Sequence, residues 1–230
     1  MRSHLLDQVP GISYGFGDLK NPVPFLGGQP EFLAEWNAKR PRWKQVHGIA
    51  CAEVIHAAQE CGEVDGLYTR ARSIPIAAVS ADCVPILLSR RDGRAVASAH
   101  SGWRGTRARI LVALWQALKA QGEAPKDWVA AVGPAIGPCC YEVSEELADD
   151  FKREFGWSAV PSHRHLDLPL INAQILKEIG IGELELLRGC TRCARSSTLP
   201  GGQTGDDSFA FHSYRREGGG TREYSVIRID

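Results

Sequence analysis

Residues 95–106 read AVASAHSGWRGT, and the rest of the chain is organised around them. The stretch opens as an apolar strand, which His100 closes. It then passes into a Gly-rich turn with Arg104 between Gly102 and Gly105, and a helix-forming pattern follows at once. A strand end leading through a glycine turn into a helix is where proteins that mix strands and helices place their chemistry. Just upstream, residues 79–89, VSADCVPILLS, join two apolar runs with Asp82 and Cys83 at the break. Further upstream, KQVHG offers His47.

Working outward, residues 90–100, RRDGRAVASAH, read as a hairpin turning on Asp92-Gly93, which sets Cys83 and His100 on or beside adjacent strands. SIPIAAVSA and CVPILLS are short apolar runs of the buried-strand type. Each holds a proline, which predicts sheet edges or bulges. Residues 43–58 look strand-like around His47, and Asp65-Gly66 in VDGLYT reads as a turn. The spacing of Ile110, Leu111, Leu114, Trp115 and Leu118 predicts one helix over 106–122, stopped by Gly122.

Residues 127–143 read as a strand running into a loop with two Gly-Pro breaks. SEELADDFKREFG predicts a helix capped by Ser144, with Val143, Leu147, Phe151 and Phe155 on one face. LPLINAQILKEIG predicts another, and ELELL a strand. SFAFHSY and EYSVIRI look like a closing antiparallel pair. At the start of the chain, GISYGFGD suggests a strand, LKNPVPFLGGQP a loop, and EFLAEWNAKR a helix with Phe32, Leu33 and Trp36 on one side. With no repeat and no linker in view, the expectation is one α+β domain over residues 1–230.

The chain has 230 residues, with 27 Lys plus Arg balancing 27 Asp plus Glu. That balance argues against a surface built for nucleic acid or anionic membranes. No apolar run reaches membrane-spanning length and no signal peptide is read, so a cytoplasmic location is expected. The seven cysteines are an odd number, which fits cytosolic thiols better than a full disulfide set.

His47, Cys83 and His100 make a donor set suited to zinc, with three protein ligands and an open fourth position. The bland alternative is a buried small thiol and two histidines bonded locally. Copper is less well served. A His-His-Cys copper site usually adds a weak methionine, and Met1 is the single methionine in the sequence. A multicopper centre also needs more imidazoles than seven scattered histidines provide. Arg104, Arg107 and Arg109 crowd the start of the expected long helix, where cations oppose the macrodipole. A docked anion such as phosphate, held above all by Arg104, would remove that conflict.

The motifs QVHG, VDGLYT, ADCVPILL, AHSGWRGT, GPAIGPCCYEV and HSYRREG occur here in that order. From about Trp43 to the C-terminus they closely resemble the laccase-domain or polyphenol-oxidase-like family of purine nucleoside phosphorylases. The resemblance implies a single domain of mixed β-sheets flanked by helices, with zinc on His47, Cys83 and His100. It implies phosphorolysis of adenosine, inosine, guanosine and 5′-methylthioadenosine, with adenosine deamination as a second activity. The partners are then a purine nucleoside and phosphate. The chain departs from the family in YGFGDLKNPVPFLGGQP, which lacks the usual arginine, and in GGGTRE, where Arg222 is an uneven match.

On this reading Arg104, with Arg215, holds phosphate. Asp82 handles a proton or orients a ligand histidine. Tyr214 borders the base, and Gln45 shares a strand face with His47. Cys139-Cys140 and the CTRC of Cys190 and Cys193 leave a second metal site or a redox pair open, but they lack the two matched CxxC pairs of a familiar site. His163-Arg164-His165 reads as surface loop. Three other readings remain: a Cys83-dependent amidase or hydrolase, a copper-dependent phenol oxidase, and a non-enzymatic metal-binding interaction domain with a closed four-ligand shell.

Overall fold

The architecture is described by a computed structural model over residues 1–24, 32–199 and 207–230. The strands are β1 (Ile12–Phe16), β2 (Arg42–Lys44), β3 (Cys51–Glu53), β4 (Glu60–Glu63), β5 (Gly66–Thr69), β6 (Ile76–Ser80), β7 (Val84–Arg90), β8 (Val96–Ser101), β9 (Trp128–Val132), β10 (Glu183–Leu186) and β11 (Glu223–Ile229). The helices are α1 (Phe32–Lys39), α2 (Trp103–Arg107), α3 (Ile110–Ala120), α4 (Glu145–Phe155), α5 (Leu168–Ile179) and α6 (Tyr214–Glu217). The fold is α+β. One mixed sheet runs β10-β9-β7-β8-β5-β3, an antiparallel sheet runs β1-β11-β6, and β2 pairs with β4.

Strand β7 shows why the layers stack as they do. Ile86 and Leu88 pack toward α3, α4 and α5, together with Ala97, Ala99, Leu114, Phe151 and Ile171. Leu87 packs the opposite way, with Phe16, Ile76, Val96 and Ile227 of the antiparallel sheet. A strand covered on both faces needs an unbroken apolar run, and PILL supplies it. Burying each of these side chains fully contributes about 1.5–3 kcal/mol. Antiparallel β7–β8 pairing sets Pro85 opposite His100, and Gly93 closes the hairpin by donating its N–H to the Arg90 carbonyl at 2.9 Å.

Several expectations need correction. Pro85 stands in a central strand, not at an edge; it is tolerated because the ladder to β9 begins one residue later, at Ile86. Asp65-Gly66 is no turn, since Gly66 opens β5. The strand-like segment 43–58 is broken: β2 ends at Lys44, β3 starts at Cys51, and His47 between them takes φ 61°. The expected helix over 106–122 is two helices, because Arg109 at φ 63° separates α2 from α3. SFAFHSY does not pair with EYSVIRI. Strand β11 lies between β1 and β6, and Ser213 instead caps α6, accepting the Arg216 N–H at 3.2 Å. In α1 Phe32 and Trp36 are buried but Leu33 is exposed. The helix caps agree better: Ser144 caps α4 as expected, and Asp167 also caps α5.

The loop expected over residues 19–30 and the start of the first helix fall partly outside the described residues. No described helix is long and apolar enough to cross a membrane.

Candidate active site

Three pieces of chain bring the expected ligands together. His47 lies in the loop after β2, Cys83 just before β7, and His100 within β8. Their ligand atoms all lie within 4.8 Å of one another. Cys83 Sγ is 3.9 Å from His47 Nε2, and the two imidazoles meet edge to face with centroids 4.9 Å apart. His100 is buried, Cys83 half-buried and His47 exposed, so the cluster opens to solvent on one side. Gly102 is what lets the ligands approach: a Cβ there would sit 2.9 Å from both Cys83 Sγ and His47 Cδ2.

Asp65 holds this arrangement. Its carboxylate accepts the backbone N–H groups of Val46 at 3.1 Å, His47 at 3.0 Å and Gly48 at 2.8 Å. It also accepts from His100 Nδ1 at 2.8 Å, while its own carbonyl accepts the His100 N–H at 2.8 Å. Burial pushes the Asp65 carboxyl up, but the His100 ring and the loop N–H groups outweigh it and hold it below the usual carboxylate range. With Nδ1 committed to Asp65, Nε2 of His100 is the nitrogen left to hold a metal. The Asp65-Gly66 pair reads as a turn, which hides Asp65 in the sequence. Asp65, and not Asp82, is the carboxylate bonded to His100.

Burial also raises the Cys83 thiol, yet hydrogen bonds from His100 and His47 and their charge bring it down to about 7. Burial pulls the His100 imidazole down, but Asp65 and Cys83 lift it to about 9. Two imidazoles and a low-lying thiol form a donor set that fits a divalent ion of borderline softness.

Asp82, at φ 89°, spans a different set of partners. It accepts from Thr191 Oγ1 at 2.6 Å and from the Arg215 backbone N–H at 2.7 Å. The Arg215 guanidinium lies 5.3 Å above the Tyr141 ring and donates to the Glu142 carbonyl at 2.9 Å. Burial first, then the Cys83 charge, pushes the Tyr141 phenol up to about 12, against Arg215 and Arg104. Tyr141 therefore feels the charges of Cys83, Asp82, Arg104 and Arg215, and its residue type alone does not mark it in the sequence. The only signal available was its place in the quoted GPAIGPCCYEV motif.

The three arginines divide. Arg107 pairs with Asp150 at 3.0 Å, and Arg109 with Glu178 at 2.8 Å. Since α2 ends at Arg107, that charge meets the negative end of a helix, whereas Arg109, at the N-cap of α3, still opposes the macrodipole and is offset by Glu154 and Glu178. Arg104 is exposed, lies 4.2 Å above the Trp103 ring, and has no carboxylate partner among the described ion pairs. Tyr214 is largely exposed on α6. Gln45 does not share a strand face with His47. Its side chain bonds both polar groups of Val79, at 2.7 and 2.8 Å, and so ties the His47 loop to β6.

Residues 31–230 match the family described as multi-copper polyphenol oxidoreductase laccase. The chain is 33% identical over 214 residues to the purine nucleoside phosphorylase YlmD of Geobacillus stearothermophilus, covering 82% of this chain and 73% of that protein. It is 33% identical over 154 residues to an adenosine deaminase of an unknown prokaryotic organism, covering 63% of this chain and 59% of that one. A crystal structure of a Neisseria meningitidis protein superposes with a TM-score of 0.71 at 28% identity, over 87% of this chain and 79% of the other.

Proposed function

The chain belongs to the multi-copper polyphenol oxidoreductase laccase family, and on that premise we propose that it is a zinc-dependent purine nucleoside phosphorylase with adenosine deamination as a second activity. The observation that carries this reading is the meeting of His47, Cys83 and His100 on an open surface beside Arg104, which has no acidic partner among the described residues. Relatives named as purine nucleoside phosphorylase and as adenosine deaminase support both halves.

His47, Cys83 and His100 would hold the ion, and the donor set favours zinc over copper. The sequence has a single methionine, Met1, to serve as an axial ligand, and two of the seven histidines stand in the cluster. A zinc ion there supplies Lewis-acid polarisation in a site whose ligands Asp65 orients.

The chain's own residues do the rest. In phosphorolysis a phosphate oxygen bonds to C1′ of the ribose while the C1′–N9 bond breaks, its electron pair leaves with the purine, and the purine takes up a proton. Arg104 holds the phosphate, with the Arg215 guanidinium beside it. Asp82 fixes the Arg215 backbone, which aims that side chain. Tyr141 keeps its proton at neutral pH, so it acts as a neutral donor toward ribose or base. Tyr214, on the exposed face of α6, borders the base.

The test is chromatography of adenosine incubated with zinc-loaded protein, with and without phosphate. Adenine and ribose 1-phosphate appear only with phosphate, and inosine appears in both arms. Neither product from protein with metal bound would overturn the proposal. The low-lying Cys83 thiol beside two imidazoles favours a second reading, a thiol hydrolase. That reading requires metal-free protein to be active and to lose activity on alkylation of Cys83.

A further inference from the structure

A second cluster of soft ligands lies outside the site just described. Cys139 and Cys140 sit in the loop after β9, which turns tightly as the Cys140 and Tyr141 N–H groups bond the Gly137 carbonyl at 2.9 and 3.0 Å. Cys190 and Cys193 sit in the loop after β10, where the Ala194 N–H bonds the Cys190 carbonyl at 2.9 Å. Strands β9 and β10 are parallel neighbours, so both loops leave from the same end of the sheet. A short bridge joins Ala135 to Cys190.

The four sulfurs all lie within 4.8 Å of one another, and Cys139 and Cys193 are 3.7 Å apart. Zinc bound to four thiolates at about 2.3 Å in a tetrahedron places neighbouring sulfurs about 3.8 Å apart. A disulfide needs about 2.05 Å, and all four thiols are free. The Cys190 sulfur accepts the Gly137 N–H at 3.3 Å, which ties the CxxC loop directly to the loop that carries Cys139 and Cys140. Cys139 and Cys193 are exposed, so an ion has a way in.

We propose that Cys139, Cys140, Cys190 and Cys193 bind a structural zinc ion that staples the β9 and β10 loops beneath the candidate active site. Four sulfurs close the coordination sphere and leave no open position for substrate. The stapled loops reach the other site from two directions. Tyr141 directly follows Cys140, and Thr191, inside the CxxC, donates to Asp82 beside Cys83.

The test is metal stoichiometry of the full chain, purified under reducing conditions and loaded with zinc. The wild type carries two zinc ions per chain. Cys83→Ala carries one, and loading that variant with cobalt gives the intense sulfur-to-metal absorption of a four-thiolate tetrahedral site. The double variant C190S/C193S loses one ion and keeps the other. If the double variant does not fold, the ion count and cobalt spectrum of Cys83→Ala decide alone. A wild type with one zinc, lost entirely in Cys83→Ala, would overturn the proposal. So would a Cys139–Cys193 disulfide in protein lacking a second ion. None of these readouts depends on catalytic activity, so a failure here and a failure of the phosphorylase reading are separate results.

Discussion

The His47–Cys83–His100 cluster and the four-cysteine cluster share soft donors but are built differently. The first draws its donors from three separated pieces of chain, mixes nitrogen with sulfur, and opens to solvent at His47. Its outer support is a single buried carboxylate that also ties down a loop. The second draws on two neighbouring loops, uses sulfur alone, and is supported by the Gly137 backbone N–H. The difference teaches that donor number and the nature of the outer partners, more than the presence of soft ligands, separate a site poised for chemistry from one that joins chain segments.

The largest effect expected is at the open cluster. Cys83→Ala removes a proposed metal ligand and should lower phosphorolysis by more than the roughly 10–100-fold that loss of an outer partner costs, with little change in melting temperature. Melting and steady-state kinetics on one preparation check it. If Cys83→Ala instead melts early and stays active, the two clusters have their roles reversed. Next comes Asp65→Asn, which keeps the shape but removes the charge facing His100. Metal affinity should fall by about 10–100-fold, as read by competition with a chelator. An unchanged affinity would break the contrast drawn between carboxylate and backbone support.

The arginines sharpen what the open side is for. Arg104→Ala should raise the KM for phosphate about tenfold or more, the size of a lost charge-assisted hydrogen bond. The smallest effect is expected for Arg107→Ala. It breaks an exposed pair with Asp150 that is worth about 0–1 kcal/mol, and the KM for phosphate should stay within about twofold. Equal effects at the two positions would mean that the basic turn acts as a diffuse field.

The fold was most legible where one residue type serves one period. The β7–β8 hairpin, α4 and α5 follow directly from apolar spacing and caps. Legibility failed where backbone conformation overrides pattern. Arg109 and His47 both adopt the left-handed region, which side-chain hydrophobicity does not report, so one helix split and one strand became a loop. At the site, the residue types that bind metals stood out in the sequence. Asp65 and Tyr141 did not, because their roles come from neighbours 35 residues away in the case of Asp65 and His100, and from two loops in the case of Tyr141. The four cysteines were visible, but their proximity depends on the parallel pairing of β9 and β10, which spacing cannot show.

Asp82 has a consequence for the order in which the protein is made. Its carboxylate bonds Thr191, 109 positions later in the chain, and Arg215, 133 positions later. Synthesis at about 5–20 residues per second delivers Arg215 on the order of ten seconds after Asp82. During that interval the turn bearing Cys83 is already made while the groups that fix its neighbour are still being translated. A nascent chain halted before Arg215 would thus hold His47, Cys83, His100 and Asp82, but not the second arginine that Asp82 aims.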